Sequence, residues 1–185
     1  MQKKIFLVIG SPGSGKTSVC NTLEIPKLLH FSIGEMYRNI AEKNTRLGAI
    51  IKHKIVIGQI VPIDIAKEVI SHFLKSNCDI IIIDGFPRDM KQAKMFSNLI
   101  EKSNCVLSIL IEILVDETKA FERISSRNRG IDDRKELFKD RLVLFKKERN
   151  EIIDYYIKQN KYISINGNLD FEIVTSNLKK IILSK

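Results

Sequence analysis

Apolar residues gather along this chain in three runs, Ile5 to Ile9, Ile80 to Ile83 and Val106 to Val115. Such runs mark strands covered on both faces, as in a parallel sheet. Shorter strand candidates are His30-Phe31 and Tyr162 to Ile165. Between them the apolar spacing lengthens to that of a helix: Gly15 to Leu23, Ile63 to Leu74 behind Pro62, Lys91 to Ile100 behind Asp89, and Asp116 to Ser125. Leu137, Phe138, Leu142, Phe145, Ile152, Ile153 and Tyr156 recur at helical spacing and predict one long helix over 135–160, straight or kinked. A last helix covers Phe171 to Leu183. Strand and helix alternate, which predicts an α/β fold with a parallel sheet of about five strands flanked by helices.

The segment from Ile33 to Val61 breaks this alternation, with two helical stretches and no good strand, and is expected to sit on the sheet edge as a small helical flap. At 185 residues and 44% hydrophobic content the chain can bury one sizeable core, so a single domain is expected. No repeat or low-complexity linker divides it.

Charge narrows the partners. A net charge of +9 calls for an anionic ligand, nucleic acid or a small phosphorylated molecule. Cys20, Cys78 and Cys105 are scattered, with no C-x-x-C pair, so neither a disulfide framework nor zinc is expected. Lys3 and Lys4 precede an apolar run that stops at Ile9, too short for a signal-peptide core or a membrane span. The expectation is a cytoplasmic protein without membrane contact.

Immediately after the first run stands Gly10-Ser11-Pro12-Gly13-Ser14-Gly15-Lys16-Thr17-Ser18. It fits G-x-x-x-x-G-K-[ST], in which backbone N–H groups wrap phosphate oxygens and the lysine reaches the outer phosphates. A buried strand before it and a helical stretch behind it are the context the motif requires, and the helix start adds partial positive charge. The motif therefore predicts a P-loop nucleotide triphosphate site.

The second constellation is Ile80 to Gln92, where a buried strand ends in Asp84 and a turn of Gly85, Phe86 and Pro87 delivers Arg88. Ligands of open α/β sheets gather at the carboxyl ends of strands, which makes Asp84 a neighbour of the phosphate loop. With Thr17 it is a candidate for holding Mg²⁺ on a triphosphate, directly or through water. Arg88 offers a two-pronged donor for a further phosphate.

Taken together, "GSPGSGKT", "FSIGEMYR", "GQIVP" and "DGFPRDMKQ" resemble, in order and separation, the motifs of the nucleoside monophosphate kinases, most closely the adenylate kinase family. The resemblance spans essentially the whole chain. It implies that Arg38 and Arg88 bind the phosphate of AMP, that Gln92 reads its base, and that Ser32, Ile33, Gln59, Ile60, Val61 and the Gly85–Arg88 turn line its pocket. A side-chain amide can donate to an adenine ring nitrogen and accept from its exocyclic amine. One marker departs from the pattern: Ser32-Ile33-Gly34-Glu35 stands where adenylate kinases usually have Ser-Thr-Gly-Asp, and Ile33 cannot hydrogen-bond a base.

The arginine-rich stretch 123–141 resembles the lid of these kinases. The resemblance implies that Arg123 stacks on the ATP adenine, Arg127 contacts ATP phosphates, and Arg129 and Arg141 clamp the transferring phosphoryl group, both also at the AMP side. Asp132 and Asp133 are expected to pair with these arginines, and Arg134 to solvate a helix face. The lid, about 126–134, is shorter than the usual short form, and the flap spans about 30–61.

The implied reaction is reversible, Mg-dependent ATP + AMP ⇌ 2 ADP; with no heptad seam or swapped-strand signal, a monomer is the default expectation. An AMP phosphate oxygen is already anionic near neutral pH, so no general base is needed. His30, His53 and His72 show no partner pattern and read as structural or surface residues. Two alternatives stay open: a UMP/CMP kinase, suggested by Ile33 and the short lid, and a non-enzymatic P-loop protein that binds nucleic acid, suggested by charge alone. Against the latter, no aromatic run interleaves with basic residues as a stacking platform.

Overall fold

Strand β1 (Lys3–Ile9) takes the middle of the sheet because it has no polar face to show: Ile5, Phe6, Leu7 and Val8 are all fully buried. The computed structural model describes residues 2–126 and 135–185. Within them β2 (Leu28–Ser32), β3 (Ile80–Asp84), β4 (Cys105–Leu114) and β5 (Tyr162–Asn166) complete a sheet in the order β2-β3-β1-β4-β5. Every pairing is parallel, as the apolar runs predict.

The two faces of the sheet make two cores. Ile5, Leu7 and Ile9 of β1 join Ile81 and Ile83 under α4 (Ile63–Leu74), α5 (Met90–Glu101) and part of α7 (Lys135–Ile157). Phe6 and Val8 face the other way, with Ile82, Ile109 and Ile111, toward α1 (Lys16–Asn21) and α8 (Phe171–Ser184). In β4 the register shifts between Ile5↔Leu107 and Phe6↔Ile109, which leaves Ser108 as an extra residue. Leu107 thus faces the first core while Ile109, also odd-numbered, faces the second.

The flap is helical, as expected: α2 (Ile33–Ala41) and α3 (Arg46–Val56) lie between β2 and α4. Ser32 caps α2 by accepting from the Glu35 N–H at 3.5 Å, and Thr45 caps α3 by accepting from Gly48 at 3.0 Å. The remaining helix, α6 (Glu117–Ser125), follows β4. Boundaries moved where pairing overrides pattern. β2 begins at Leu28 rather than His30 because its backbone pairs with β3 from Leu28↔Ile80 onward. Helix α7 stops at Ile157 rather than Asn160, with the Lys161 N–H turning back onto the Tyr156 carbonyl at 2.9 Å and Asn160 in the left-handed region. No helix among the described residues is long and apolar enough to cross a membrane.

β1 has β3 on one side and β4 on the other, so connections leave the middle of the sheet in both directions. The crevice at its carboxyl end is where open α/β sheets hold ligands.

Candidate active site

The glycine loop leaves β1 into that crevice. Gly13 adopts φ +82°, and a Cβ there would sit 2.2 Å from the Ala120 carbonyl oxygen, so only glycine lets the loop lie against α6. The Ser14 N–H closes a turn on the Ser11 carbonyl at 3.0 Å. Lys16 opens α1 and donates to the Ser11 carbonyl at 3.4 Å. The hydroxyls of Ser11 and Ser14 are buried within the loop without a hydrogen-bond partner. Such orphans are rare in interiors and fit a loop built around something that accepts from it.

Asp84, at the end of β3, is fully buried and accepts a hydrogen bond from the Thr17 hydroxyl. Its other oxygen, Oδ1, is buried with no hydrogen-bond partner. Burial alone would raise this carboxyl, but His30, the Lys16 charge and the Thr17 hydroxyl hold it below the ordinary carboxylate value. It is therefore an anion at neutral pH, with one free oxygen beside the phosphate loop. A buried carboxylate oxygen left open in this way suits a cation. Among the described residues no three His, Cys, Asp or Glu converge on a metal-sized site, so a cation here needs ligands from elsewhere.

His30 corrects the sequence reading. Its Nε2 lies 3.8 Å from Asp84 Oδ2, with the side chain only 8% exposed. It is structural, as expected, and it lies beside Asp84 without a hydrogen bond from Nε2; the β2–β3 register sets His30 opposite Ile82 and Ser32 opposite Asp84, which brings residue 30 diagonally next to residue 84.

The turn after β3 holds Arg88. Gly85 has φ +76° and the Phe86–Pro87 peptide is cis. Arg88 Nε donates back to the Gly85 carbonyl at 3.2 Å, and its backbone N–H donates to Gln92 Oε1 at 2.9 Å. Asp89 caps α5 by accepting from the Gln92 N–H at 2.7 Å. The Arg88 guanidinium reaches toward Gly34 at the start of α2: a methyl group there would lie 3.3 Å from Arg88 Nη2 and 3.6 Å from Arg38 Nη1. Burial, with the charges of Arg141 and Arg38 close by, draws Arg88 below the ordinary arginine value, against the opposing effects of Tyr37 and Asp84.

One cleft collects these parts. Gly10, Pro12, Gly13, Lys16 and Thr17 form one wall; Ser32, Arg38, Gln59, Ile60 and Val61 from the flap form another; Gly85, Pro87 and Arg88 lie between them. Arg141 closes the rim from α7, with Leu144, Phe145 and Ile152 of the same helix. Leu144, Phe145, Ile152 and, from α3, Ile55 were not expected at the site. Lys54 donates to Gln59 Oε1 at 2.7 Å and fixes that part of the flap.

Several expected residues stand outside the lining. Ile33 and Phe86 are buried in the first core, Phe86 edge-on to Phe96 at 5.6 Å, so the Ile33 side chain does not face the cleft. Ser18 is exposed, and Gln92 is buried with its carbonyl engaged by Arg88. Arg123 donates to the Ser14 carbonyl at 3.3 Å and to the Gly167 carbonyl at 3.1 Å, tying the phosphate loop to the turn after β5. Arg127, Arg129, Asp132, Asp133 and Arg134 lie outside the described residues.

The geometry offers four cationic side chains to phosphate and one buried carboxylate to a cation. A family model described as Adenylate kinase matches residues 8–161. Similar curated proteins are the adenylate kinases of a Nitratiruptor species, 36% identical across 99% of this chain and 97% of the relative, and of Helicobacter pylori, 36% identical across 98% of each. That of Campylobacter jejuni subsp. jejuni serotype O:2 is 35% identical across 97% of this chain and 96% of its own length.

Proposed function

This chain belongs to the adenylate kinase family, phosphotransferases that act between ATP and AMP, and we propose that it carries out ATP + AMP ⇌ 2 ADP in the cleft at the carboxyl end of the sheet. The observation that carries this reading is the convergence of Lys16, Arg38, Arg88 and Arg141 on one cleft between the glycine loop and the flap.

The glycine loop amides and Lys16 hold the outer phosphates of ATP, with Arg123 securing the loop from behind and lying beside the ATP base. The N-terminus of α2, Arg38 and Arg88 hold the AMP phosphate, and Gln59 to Val61 bound the AMP base. Gln92 reads that base with its amide, and its carbonyl also supports Arg88. Arg141, with Arg127 and Arg129, meets the phosphoryl group in transfer.

The bond that forms joins an AMP phosphate oxygen to the γ-phosphorus of ATP, and the bond that breaks leaves its electron pair on the β-phosphate oxygen. Neither end requires a proton donor or acceptor. The chain's task is to bring two polyanions together in line and to exclude water, which would otherwise take the phosphoryl group. Fixed cations around the cleft lower the cost of the first, and closure of the flap and lid achieves the second. A Mg²⁺ accompanying ATP would be held by Thr17 and, directly or through water, by Asp84, where it neutralises triphosphate charge. We read the chain as one kinase domain with a flap at 30–61 and a lid at 126–134, acting as a cytoplasmic monomer on nucleotides rather than nucleic acid.

The test is to supply Mg·ATP with AMP, CMP, UMP, dCMP or GMP separately and measure diphosphate formation. Turnover confined to AMP is expected. Turnover mainly with CMP or UMP would overturn the acceptor while leaving the site intact.

A further inference from the structure

Tyr37 is 1% exposed, yet its hydroxyl has no hydrogen-bond partner. Burial, against the nearby Arg88 charge, pushes the phenol up to about 12, so it stays neutral in the working range. A buried, unpaired hydroxyl is a net cost, and a leucine or phenylalanine would avoid it. The question is what the ring provides at this position.

The answer lies one layer above it. The Arg88 Cζ stands 5.9 Å from the centre of the Tyr37 ring, on its face. Arg88 sits half-buried, with Arg38 and Arg141 close enough to oppose its charge. One edge of the guanidinium is used on the Gly85 carbonyl, and the Nη2 side reaches Gly34 at the mouth of α2. A cation crowded by two others and stripped of much of its water needs a negative surface that does not consume its outward N–H groups. The face of an aromatic ring is such a surface: its quadrupole attracts the cation while leaving the in-plane donors free. A carboxylate in the same place would compete with the incoming phosphate.

We infer that Tyr37 is a positioning residue for the acceptor-phosphate site, its ring face seating the Arg88 guanidinium so that its outer edge meets the AMP phosphate. The inference rests on the reading above that Arg88 grips that phosphate. Position also favours it, since Tyr37 immediately precedes Arg38 on α2 and one helix therefore carries both a ligand and the support for another.

The experiment compares Tyr37→Phe, Tyr37→Leu and Tyr37→Met, with Arg88→Ala and the double variants, by calorimetric affinity for AMP and by steady-state kinetics. Tyr37→Leu and Tyr37→Met are expected to weaken AMP about tenfold, leaving the KM for ATP unchanged, while Tyr37→Phe stays within about twofold. In the background of Arg88→Ala the loss from Tyr37→Leu should vanish, because the ring acts through that side chain. A Tyr37→Phe variant as impaired as Tyr37→Leu would overturn the inference by assigning the effect to the hydroxyl. So would a Tyr37→Leu loss that persists undiminished beside Arg88→Ala, or AMP affinity unchanged in both Leu and Met variants. Should Arg88→Ala itself bind AMP normally, the assignment of Arg88 fails first, and the two failures are thereby told apart.

Discussion

Thr17 donates its hydroxyl to Asp84, joining the first turn of α1 to the last residue of β3. The bond leaves Asp84 Oδ1 open at the carboxyl end of the sheet. Asp84→Asn keeps the shape and removes the charge. It is expected to lower kcat by about 10² at limiting Mg²⁺ and to raise the Mg²⁺ concentration needed for half-maximal rate. A metal titration unchanged from that of the unaltered protein would remove Asp84 from the cation site.

The same carboxylate makes a prediction about acid. Its pKa in the folded protein lies below the ordinary value of 3.8. The unfolded chain therefore binds a proton first as pH falls, and the stabilisation from this group is complete above the unfolded value and lost as pH drops through the folded one. Urea unfolding midpoints measured from pH 7 down to pH 3 should fall more steeply below about pH 4 for the unaltered protein than for Asp84→Asn. Parallel curves would show that Asp84 gains nothing from His30, Lys16 and Thr17.

Lys16 is the lysine of the glycine loop, resting on the Ser11 carbonyl at 3.4 Å. Lys16→Met preserves the length of the side chain and deletes its charge. We expect a fall in kcat of about 10² or more with the fold intact, because what is lost is charge stabilisation in a dry site. Turnover within about tenfold of normal, measured with saturating ATP and AMP, would show that the arginines suffice.

The sequence carried the glycine loop, the five strands and the flap because each depends on local pattern: an apolar run, a turn motif, a helical period. It carried Arg88 because the turn around it is written in consecutive residues. What it did not carry depends on pairing at a distance. His30 meets Asp84 only through the β2–β3 register, and Tyr37 meets Arg88 only when the flap folds back over the turn. Ile33 reads as part of the AMP pocket because it stands in the motif Ser32-Ile33-Gly34-Glu35 that the resemblance sets there, but its side chain takes the core face of α2. Glu112 is the clearest sign in the sequence of a long-range partner. A carboxylate inside the run Val106 to Val115 cannot lie in a strand covered on both faces without a partner, although which basic residue answers it is fixed by packing alone.

In the proposed site the Gln92 amide would serve two tasks. Its carbonyl accepts from the Arg88 backbone N–H at 2.9 Å, so the amide proposed to read the base is also tied to the turn that holds Arg88. Gln92→Asn, one methylene shorter, cannot keep both. We expect the ratio of kcat/KM for AMP over CMP to fall by about tenfold, with a smaller loss in kcat for AMP. If the ratio held while kcat collapsed, the residue would serve the turn and not the base.

Glu112 finds its partner in α7. Arg149 donates to both carboxylate oxygens, at 2.5 and 2.7 Å, and the Tyr162 hydroxyl adds a bond of 2.7 Å from β5. Glu112 is 1% exposed and Arg149 29%, so the anion is buried while its cation reaches toward solvent. The arrangement fastens to the sheet the helix that carries Arg141 into the cleft. Burial and the bond to Glu112 push the Tyr162 phenol up to about 12. Breaking such a pair from one side is costly because the remaining charge stays buried without its counter-ion. Arg149→Met is therefore expected to lower unfolding stability by about 3–5 kcal/mol, read by urea denaturation. Removing both charges should cost far less, since the double variant Glu112→Leu/Arg149→Met leaves no buried charge to compensate, only the half-buried Tyr162 hydroxyl to find water, and most of the stability should return. A single variant as stable as the unaltered chain would mean that Tyr162 and water satisfy Glu112 alone. A double variant no better than the single one would mean that the pair is needed for the packing of α7 and not for its charge.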